Sequence, residues 1–269
     1  MVIVGLTDAG RRAGVNQDTI GWSQGRAVAM VADGLGGHQG GQVASAIVKR
    51  SMLETGAPDL RAAVLGAHTA IVEAAERQAD LRGMASTVVA VRVARRTAHI
   101  IWVGDSRAYL WRENELTRLT RDHSVVEVLR DVVGLSETQV HIHPQRNEVT
   151  NVLGAGDAVP SMTDILLQHG DWILLCSDGL HGELRDEEIA QVLRLTPSLA
   201  EAPQRLIAAA LEHGGQDNVS AVLIQYDGRN WRRFSPRLSE VGVNWLAALG
   251  GVLLAALVAA IVVWYRRRN

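Results

Sequence analysis

The sequence predicts a layered α+β domain followed by one apolar helix. Three observations predict it. Short runs rich in Val, Ile and Trp recur along residues 1–227, several of them adjacent to one another. Helical patterns follow in pairs and do not alternate strand by strand, which favours α+β over regular βαβ units. Finally, Val241 to Tyr265 carries no charge and has Asn244 as its one polar side chain.

Taken along the chain, the predicted strands are Val28–Ala32, Thr87–Val93, His99–Val103, Ala108–Trp111, Trp172–Cys176 and Val219–Gln225. The clearest helix places Leu60, Val64, Ala67, Ile71 and Ala74 on one face behind an Asp59 cap. Ser198 and Glu201 have the spacing of a capping box for a helix that runs to His213. Residues 228–240, with Gly228, Pro236 and several arginines, read as a juxtamembrane linker. From Trp245 to Trp264, at about 1.5 Å per residue, a helix matches the roughly 30 Å of bilayer hydrocarbon, with aromatic residues at both ends. Ala247, Gly251, Ala255 and Ala259 form a small-residue stripe on it, a surface on which two such helices could associate. Residues 266–269, RRRN, form a basic tail.

Composition narrows the function classes. At 269 residues and 47% hydrophobic, the chain can bury a large core. A net charge of -2 gives no electrostatic footprint for nucleic acid. The single cysteine, Cys176, excludes a disulfide framework and a cysteine zinc cluster, and lies in an apolar run where a buried, inert thiol is expected. The start, MVIVGLTDAGRR, lacks a signal-peptide pattern. The expectation is therefore a single-pass membrane protein whose residues 1–227 are cytoplasmic.

The chemistry is carried by aspartates in small-residue turns beside apolar runs: Asp33 in VADGLGGHQGG, Asp105 in WVGDSRAY, Asp178 in ILLCSDGL and Asp217 in GGQDNVS. Carboxylates at the ends of different strands can converge, and they repel unless a cation lies between them. Mg²⁺ and Mn²⁺ prefer such oxygen donors. The glycines after Asp33 fit neither a Walker loop, since no Lys follows them, nor a dinucleotide fingerprint, since Gly34, Gly36 and Gly37 have the wrong spacing.

In order, GLTDAGRRAGVNQD, VADGLGGHQGG, GMASTVV, WVGDSRAYL, LTRDHS, HPQRNEVTNVLG, LLCSDGL and GGQDNVSAVLI resemble the motifs of type-2C (PPM) metal-dependent serine/threonine protein phosphatases. The resemblance spans nearly all of residues 1–227. It implies a four-layer α-β-β-α sandwich of two antiparallel sheets with a dinuclear metal site at one end. It further implies two Mn²⁺ or Mg²⁺ ions and a third, weaker one. Asp33 would bridge the pair, the Gly34 carbonyl, Asp178 and Asp217 would be further ligands, and Asp105 would join Asp178 at the third ion. Asp18 would orient a water, His38 would be the general acid, and phosphorylated proteins would be the substrates, opposite a partner Ser/Thr kinase. Water activated between the ions would attack phosphorus in line.

Two positions depart from the family pattern. Gln17 stands where a Glu commonly precedes the first-motif Asp, offering a neutral oxygen to one metal. The phosphate-binding arginine falls at Ala13, so Arg12 takes that role if the chain bulges by one residue, with Arg11 next in line. These departures leave room for a catalytically weak phosphoprotein-binding member of the same fold. A remoter alternative is a serine esterase built on Gly104-Asp105-Ser106 with Asp178 and His181, although Ser106 is followed by a strand-like run where such a nucleophile should precede a helix. Substrate choice is expected in the stretch from Ser124 to His143.

Overall fold

The computed structural model describes residues 1–11, 14–37, 39–55, 59–136, 139–140 and 143–228. Arg12 and His38, the linker from residue 229 onward, the apolar segment 241–265 and the basic tail lie outside the described residues. Among the described residues no helix is long and apolar enough to cross a membrane.

Two five-stranded sheets form the centre. The strands are β1 (Val2–Asp8), β2 (Thr19–Ser23), β3 (Val28–Ala32), β4 (Gly34–Leu35), β5 (Ala85–Ser86), β6 (Val88–Ala94), β7 (Thr97–Val103), β8 (Arg107–Arg112), β9 (Glu115–Arg118), β10 (Ser161–Leu166), β11 (Trp172–Cys176) and β12 (Val219–Gln225). One sheet runs β1-β12-β11-β8-β9, the other β10-β7-β6-β3-β2, and β4 and β5 make a small ribbon. Every pairing is antiparallel, for example Cys176 opposite both Arg107 and Ala221, and Val31 opposite Ile20 and Val89. Helices α1 (Gly40–Leu53), α2 (Leu60–Arg77), α3 (Val125–Val133), α4 (Asp178–His181), α5 (Asp186–Arg194) and α6 (Ala202–His213) complete it.

Three apolar clusters define four layers, because the period of a strand sends alternate side chains to opposite faces. Ala29, Val31, Val89, Ile100, Ile173 and Val222 meet between the sheets. Met30, Val88 and Ile101 turn the other way, onto Val48 and Met52 of α1 and Val64 and Ile71 of α2. On the far face Tyr109, Leu174, Cys176 and Leu223 pack on Ile189 of α5 and Leu206 of α6. All three lie within one compact unit, Met1–Trp231. The expected α-β-β-α sandwich is the one observed.

The predicted strands at 28–32, 172–176 and 219–225 are reproduced residue for residue, and Asp59 caps α2 by accepting from the Ala62 N–H at 2.8 Å. The Ser198 expectation is corrected. Ser198 makes no side-chain bond to the backbone ahead of it and begins a short 3₁₀ turn at Leu199–Glu201. α6 starts only at Ala202, with a proline in its first turn. Pro203 has no N–H to offer a cap, and the Ser198 hydroxyl goes instead to the Glu201 carboxylate at 3.2 Å. α1 was unforeseen because it opens on Gly40 and Gly41, poor helix formers that read as loop. Strands β1, β2, β9 and β10 also went unmarked, their alternation diluted by Gly, Thr and charged residues.

Candidate metal centre

The connections at one end of the sandwich carry all the predicted carboxylates. Asp33 follows β3, Asp105 lies between β7 and β8, Asp178 opens α4 straight after β11, Asp217 precedes β12, and Asp18 precedes β2. Antiparallel registers align these five ends, with Thr19 opposite Ala32 and Cys176 opposite Arg107 and Ala221.

Small polar side chains fix the carboxylates in place. The Asp33 N–H donates to the Thr87 hydroxyl at 3.0 Å, and its carbonyl accepts from the Thr87 N–H at 2.8 Å and the Ser86 hydroxyl at 3.0 Å. One Asp18 carboxylate oxygen accepts from the hydroxyls of Ser177 and Ser220, both at 2.7 Å, while its Oδ1 is buried without a partner. Asp217 is exposed and accepts from the Asn218 N–H at 2.8 Å. Asn218 in turn bonds the Gln17 N–H at 2.8 Å and the Ala9 carbonyl at 3.0 Å, tying the first-motif loop to β12.

The glycine run after Asp33 has a specific steric reason. A Cβ on Gly34 would collide with the Gly41 carbonyl, and one on Gly41 would collide with the Gly34 carbonyl and the Gln17 Oε1. The chain doubles back on itself there, with α1 pressed against the loop that bears Asp33.

Electrostatics separates this cluster from an ordinary polar surface. Burial, followed by Asp18, Asp178 and Asp105, holds the Asp33 carboxyl well above the usual carboxylate range. Burial and then Asp178 and Asp122 do the same to Asp105. Asp18 is raised to about 7, chiefly by burial and then by Asp178 and Asp217, against the two hydroxyl bonds that lower it. Asp178 is raised to about 6 by burial and by Asp217. The Asp33 and Asp178 carboxyls are within hydrogen-bonding reach of each other, and Asp178 Oδ1 is buried with no partner. Two carboxylates meet this way only if a proton or another cation lies between them.

That arrangement fits a divalent cation. Its donors are all oxygens, two of the oxygens are orphaned, and among the described residues the groups that act most on the Asp33 carboxyl are other carboxylates. Among the described residues no three acidic, histidine or cysteine side chains already surround one point. Mg²⁺ and Mn²⁺ sites commonly take one or two carboxylates and complete their shell with water.

Beside the carboxylates lies a cavity of about 700 Å³, whose lining includes Asp105, Asp178 and Asp217 together with Arg146, Asn147 and Arg185. Its wall includes an ion-pair network that sequence reasoning left unassigned. Arg107 donates to both oxygens of Asp122 at 2.7 and 3.1 Å and to the Tyr109 hydroxyl at 3.1 Å, and Arg118 reaches Asp122 at 2.6 Å. Burial pushes the Asp122 carboxyl up, but Arg107 and then Arg118 outweigh it and hold the group below its ordinary value. His123 accepts the Gly104 N–H on Nδ1 at 3.1 Å, leaving its Nε2 proton for the Ser161 hydroxyl at 2.9 Å. Arg107, Asp122 and His123 were present in the motifs GDSR and LTRDHS as polar neighbours of the aspartates, whereas Arg118, Tyr109 and Ser161 lie outside those motifs.

The esterase constellation does not form. Ser106 is buried against the Thr87 hydroxyl at 2.8 Å and leads into β8, and His181 Nε2 donates to the Asp105 carbonyl at 3.1 Å. Burial and Arg107 pull the His181 pKa down to about 3, so it stays neutral. Cys176 is fully buried and its thiol is pushed up by burial, which agrees with an inert core role.

The site is therefore a basin of carboxylates at one end of an α-β-β-α double-sheet sandwich. The family described as protein phosphatase 2C matches residues 9–223, and the chain belongs to that family. The serine/threonine protein phosphatase PstP of Mycobacterium tuberculosis is 37% identical over 232 residues, 82% of this chain. The chain spans about half the length of that relative, 45%. The serine/threonine phosphatase stp of Listeria welshimeri is 34% identical over 235 residues, 81% of this chain and 93% of the relative. A solved structure of the M. tuberculosis serine/threonine phosphatase PstP/Ppp superposes with a TM-score of 0.79 at 35% identity, covering 84% of this chain and 98% of that one. A structure of the PstP catalytic domain in complex with two manganese ions has a TM-score of 0.75 at 33% identity, covering 82% and 96%.

Proposed function

We propose that this chain hydrolyses phosphoserine and phosphothreonine in proteins, reversing a Ser/Thr kinase, with two Mn²⁺ or Mg²⁺ ions. Asp33, the Gly34 carbonyl, Asp178 and Asp217 would hold them, and Asp105 with Asp178 would hold a third, weaker ion. The observation that carries this reading is the half-buried Asp33–Asp178 carboxyl pair, with an orphaned Asp178 oxygen and, among the described residues, other carboxylates as its main charged neighbours. When bound, the ions would supply an activated water and positive charge against the phosphoryl oxygens.

The chain's own residues contribute positioning. Ser177 and Ser220 hold one Asp18 oxygen and leave its buried Oδ1 as an acceptor that a bound water would satisfy. Arg146, Asn147 and Arg185 line the cavity in which the phosphopeptide would lie. Arg12 is assigned to the phosphate and His38 to the leaving oxygen, as the sequence resemblance implies. Arg11 is tied to this end of the molecule through its N–H, which donates to the Gly215 carbonyl at 2.8 Å.

The uncharged segment Val241–Tyr265 supports a single membrane crossing with residues 1–227 on the cytoplasmic side. Phosphorylated membrane-proximal proteins and their kinase are then the expected partners.

Turnover of p-nitrophenyl phosphate and of a phosphothreonine peptide by the full chain tests the activity, with Mn²⁺ and after chelation. Metal-dependent release of phosphate is expected. Turnover that survives chelation would sink the reading, and tight phosphopeptide binding without turnover would favour the weak phosphoprotein-binding member.

A further inference from the structure

The end of the sandwich opposite the carboxylates has a different charge pattern. There the tips Gln24–Ala27, Arg95–Arg96 and Glu113–Asn114 gather with the start of β1 and the end of β12. The pole is fastened across the two sheets: the Gln24 side chain donates to the Met1 carbonyl at 2.7 Å, and Arg112 to the Leu166 carbonyl at 2.9 Å. Several of its carboxylates are already engaged. Asp171 is buried against Arg112 at 2.6 Å, Asp227 pairs with the Met1 amino group at 2.7 Å, and Asp59 caps α2.

Of its cations on the α1 side, Arg26 donates from its guanidinium to the Met52 and Leu53 carbonyls at the end of α1, whereas Arg95 and Arg96 form the exposed tip. Arg95 and Arg96 are both exposed, and no described residue partners either side chain. Arg95 sits at φ 57°, in the left-handed region that Gly or Asn occupies more easily, so the turn keeps an arginine against local preference. Next to this tip a cleft of about 270 Å³ is lined by Arg26, Arg92 and Asp59 together with the apolar Val28, Met52 and Leu60. Glu54 and Asp59 are exposed carboxylates on this side, and Glu113 and Glu115 lie on the other sheet. Leu166, 70% exposed, and Val2, 49% exposed, add apolar side chains at the same pole.

The chain leaves the domain here. The Gly170 N–H bonds the Tyr226 carbonyl at 2.9 Å, two residues before Gly228. The sequence continues through Arg229, Arg232, Arg233 and Arg237 to the apolar segment at 241. Those linking residues reach at most about 45 Å when extended.

We propose that this pole binds an anionic lipid surface through the exposed Arg95 and Arg96. The occupant follows from charge complementarity and from where the chain exits, and the proposal rests on the reading of 241–265 as a membrane span. Juxtamembrane arginines strengthen attraction to anionic headgroups, each by a modest and salt-sensitive increment.

The test uses the compact unit Met1–Trp231, which contains all three apolar cores, co-sedimented with vesicles of phosphatidylcholine alone or mixed with phosphatidylglycerol. Binding only to the anionic vesicles is expected, weakening with salt. The double variant Arg95→Glu/Arg96→Glu should lower it by roughly tenfold or more. Arg77→Glu/Arg82→Glu, the same charge change at the far end of α2, should leave it near wild type, and both variants should keep wild-type turnover of p-nitrophenyl phosphate. No binding by the wild-type unit, equal binding to neutral vesicles, or equal loss in both double variants overturns the proposal. A separate alkaline wash of membranes carrying the full chain tests the span. Release of the full chain there, with vesicle binding by the unit retained, would overturn the anchor and leave the lipid-facing pole standing.

Discussion

Two groups of buried or half-buried carboxylates lie at the same end of the sandwich, and they have opposite electrostatics. Asp122 is met by Arg107 and Arg118 and is held below its ordinary pKa. Asp33, Asp105 and Asp178 are met mainly by one another and are held above theirs. Burial acts on both groups in the same direction, so the difference comes from the cations. One group is a finished ion pair that stiffens the cavity wall. The other costs stability until a cation arrives, which is the signature of a binding site.

The comparison can be broken most severely at Asp178. Asp178→Asn should lower metal-dependent turnover by orders of magnitude, measured with p-nitrophenyl phosphate at saturating Mn²⁺. The same variant, free of metal, should be more stable than wild type at pH 8. The sign follows from the raised pKa: the folded state holds the Asp178 proton more tightly than the unfolded chain, so ionisation destabilises it as pH rises through about 6. The stability gap between variant and wild type should therefore close as pH falls from 8 towards 4. A gap that widens at low pH would refute the assignment.

Arg107 offers the converse break. Arg107→Met leaves Asp122 buried with only Arg118, and removing one partner of such a pair typically costs about 3–5 kcal/mol. Urea unfolding should show that loss, and Arg107→Met with Asp122→Asn should recover part of it. Full stability in the single variant would mean that Arg118 alone suffices.

Gln17→Glu sharpens the comparison by adding charge to the unneutralised group. It should tighten Mn²⁺ binding several-fold in a calorimetric titration, while the wild type keeps the looser site. The smallest effect is expected from the arginines of the first motif. Arg12→Ala should raise KM for phosphate monoesters with little change in kcat, and the reverse pattern, in which only Arg11→Ala is impaired, would shift the phosphate contact by one residue.

Much of this was legible in the chain, for reasons that differ by element. Strands β3, β11 and β12 could be read because both of their faces are buried, so they are runs of mostly apolar residues. β10 could not, because it is an edge strand whose outward residues, Met162, Asp164 and Leu166, are exposed and mixed in character. Asp18, Asp33, Asp105, Asp178 and Asp217 stood out by their motifs. Their supports, Thr87, Ser177, Asn218 and Ser220, did not, since a Ser or Thr beside an Asp is common and gains meaning only from what lies across the fold.

By itself the sequence determined the family, the α+β class, the acidic residues and the apolar segment near its end, because these depend on residue type and order along the chain. Only the tertiary structure decided which carboxylates share a basin, that Arg107 and Arg118 neutralise Asp122 but leave Asp33 alone, that Ser106 faces Thr87 and not His181, and that the arginine tip lies at the pole from which the chain departs. Those facts depend on distances between residues far apart in sequence. Charge interactions and burial are set by those distances, and a string of residue types does not contain them.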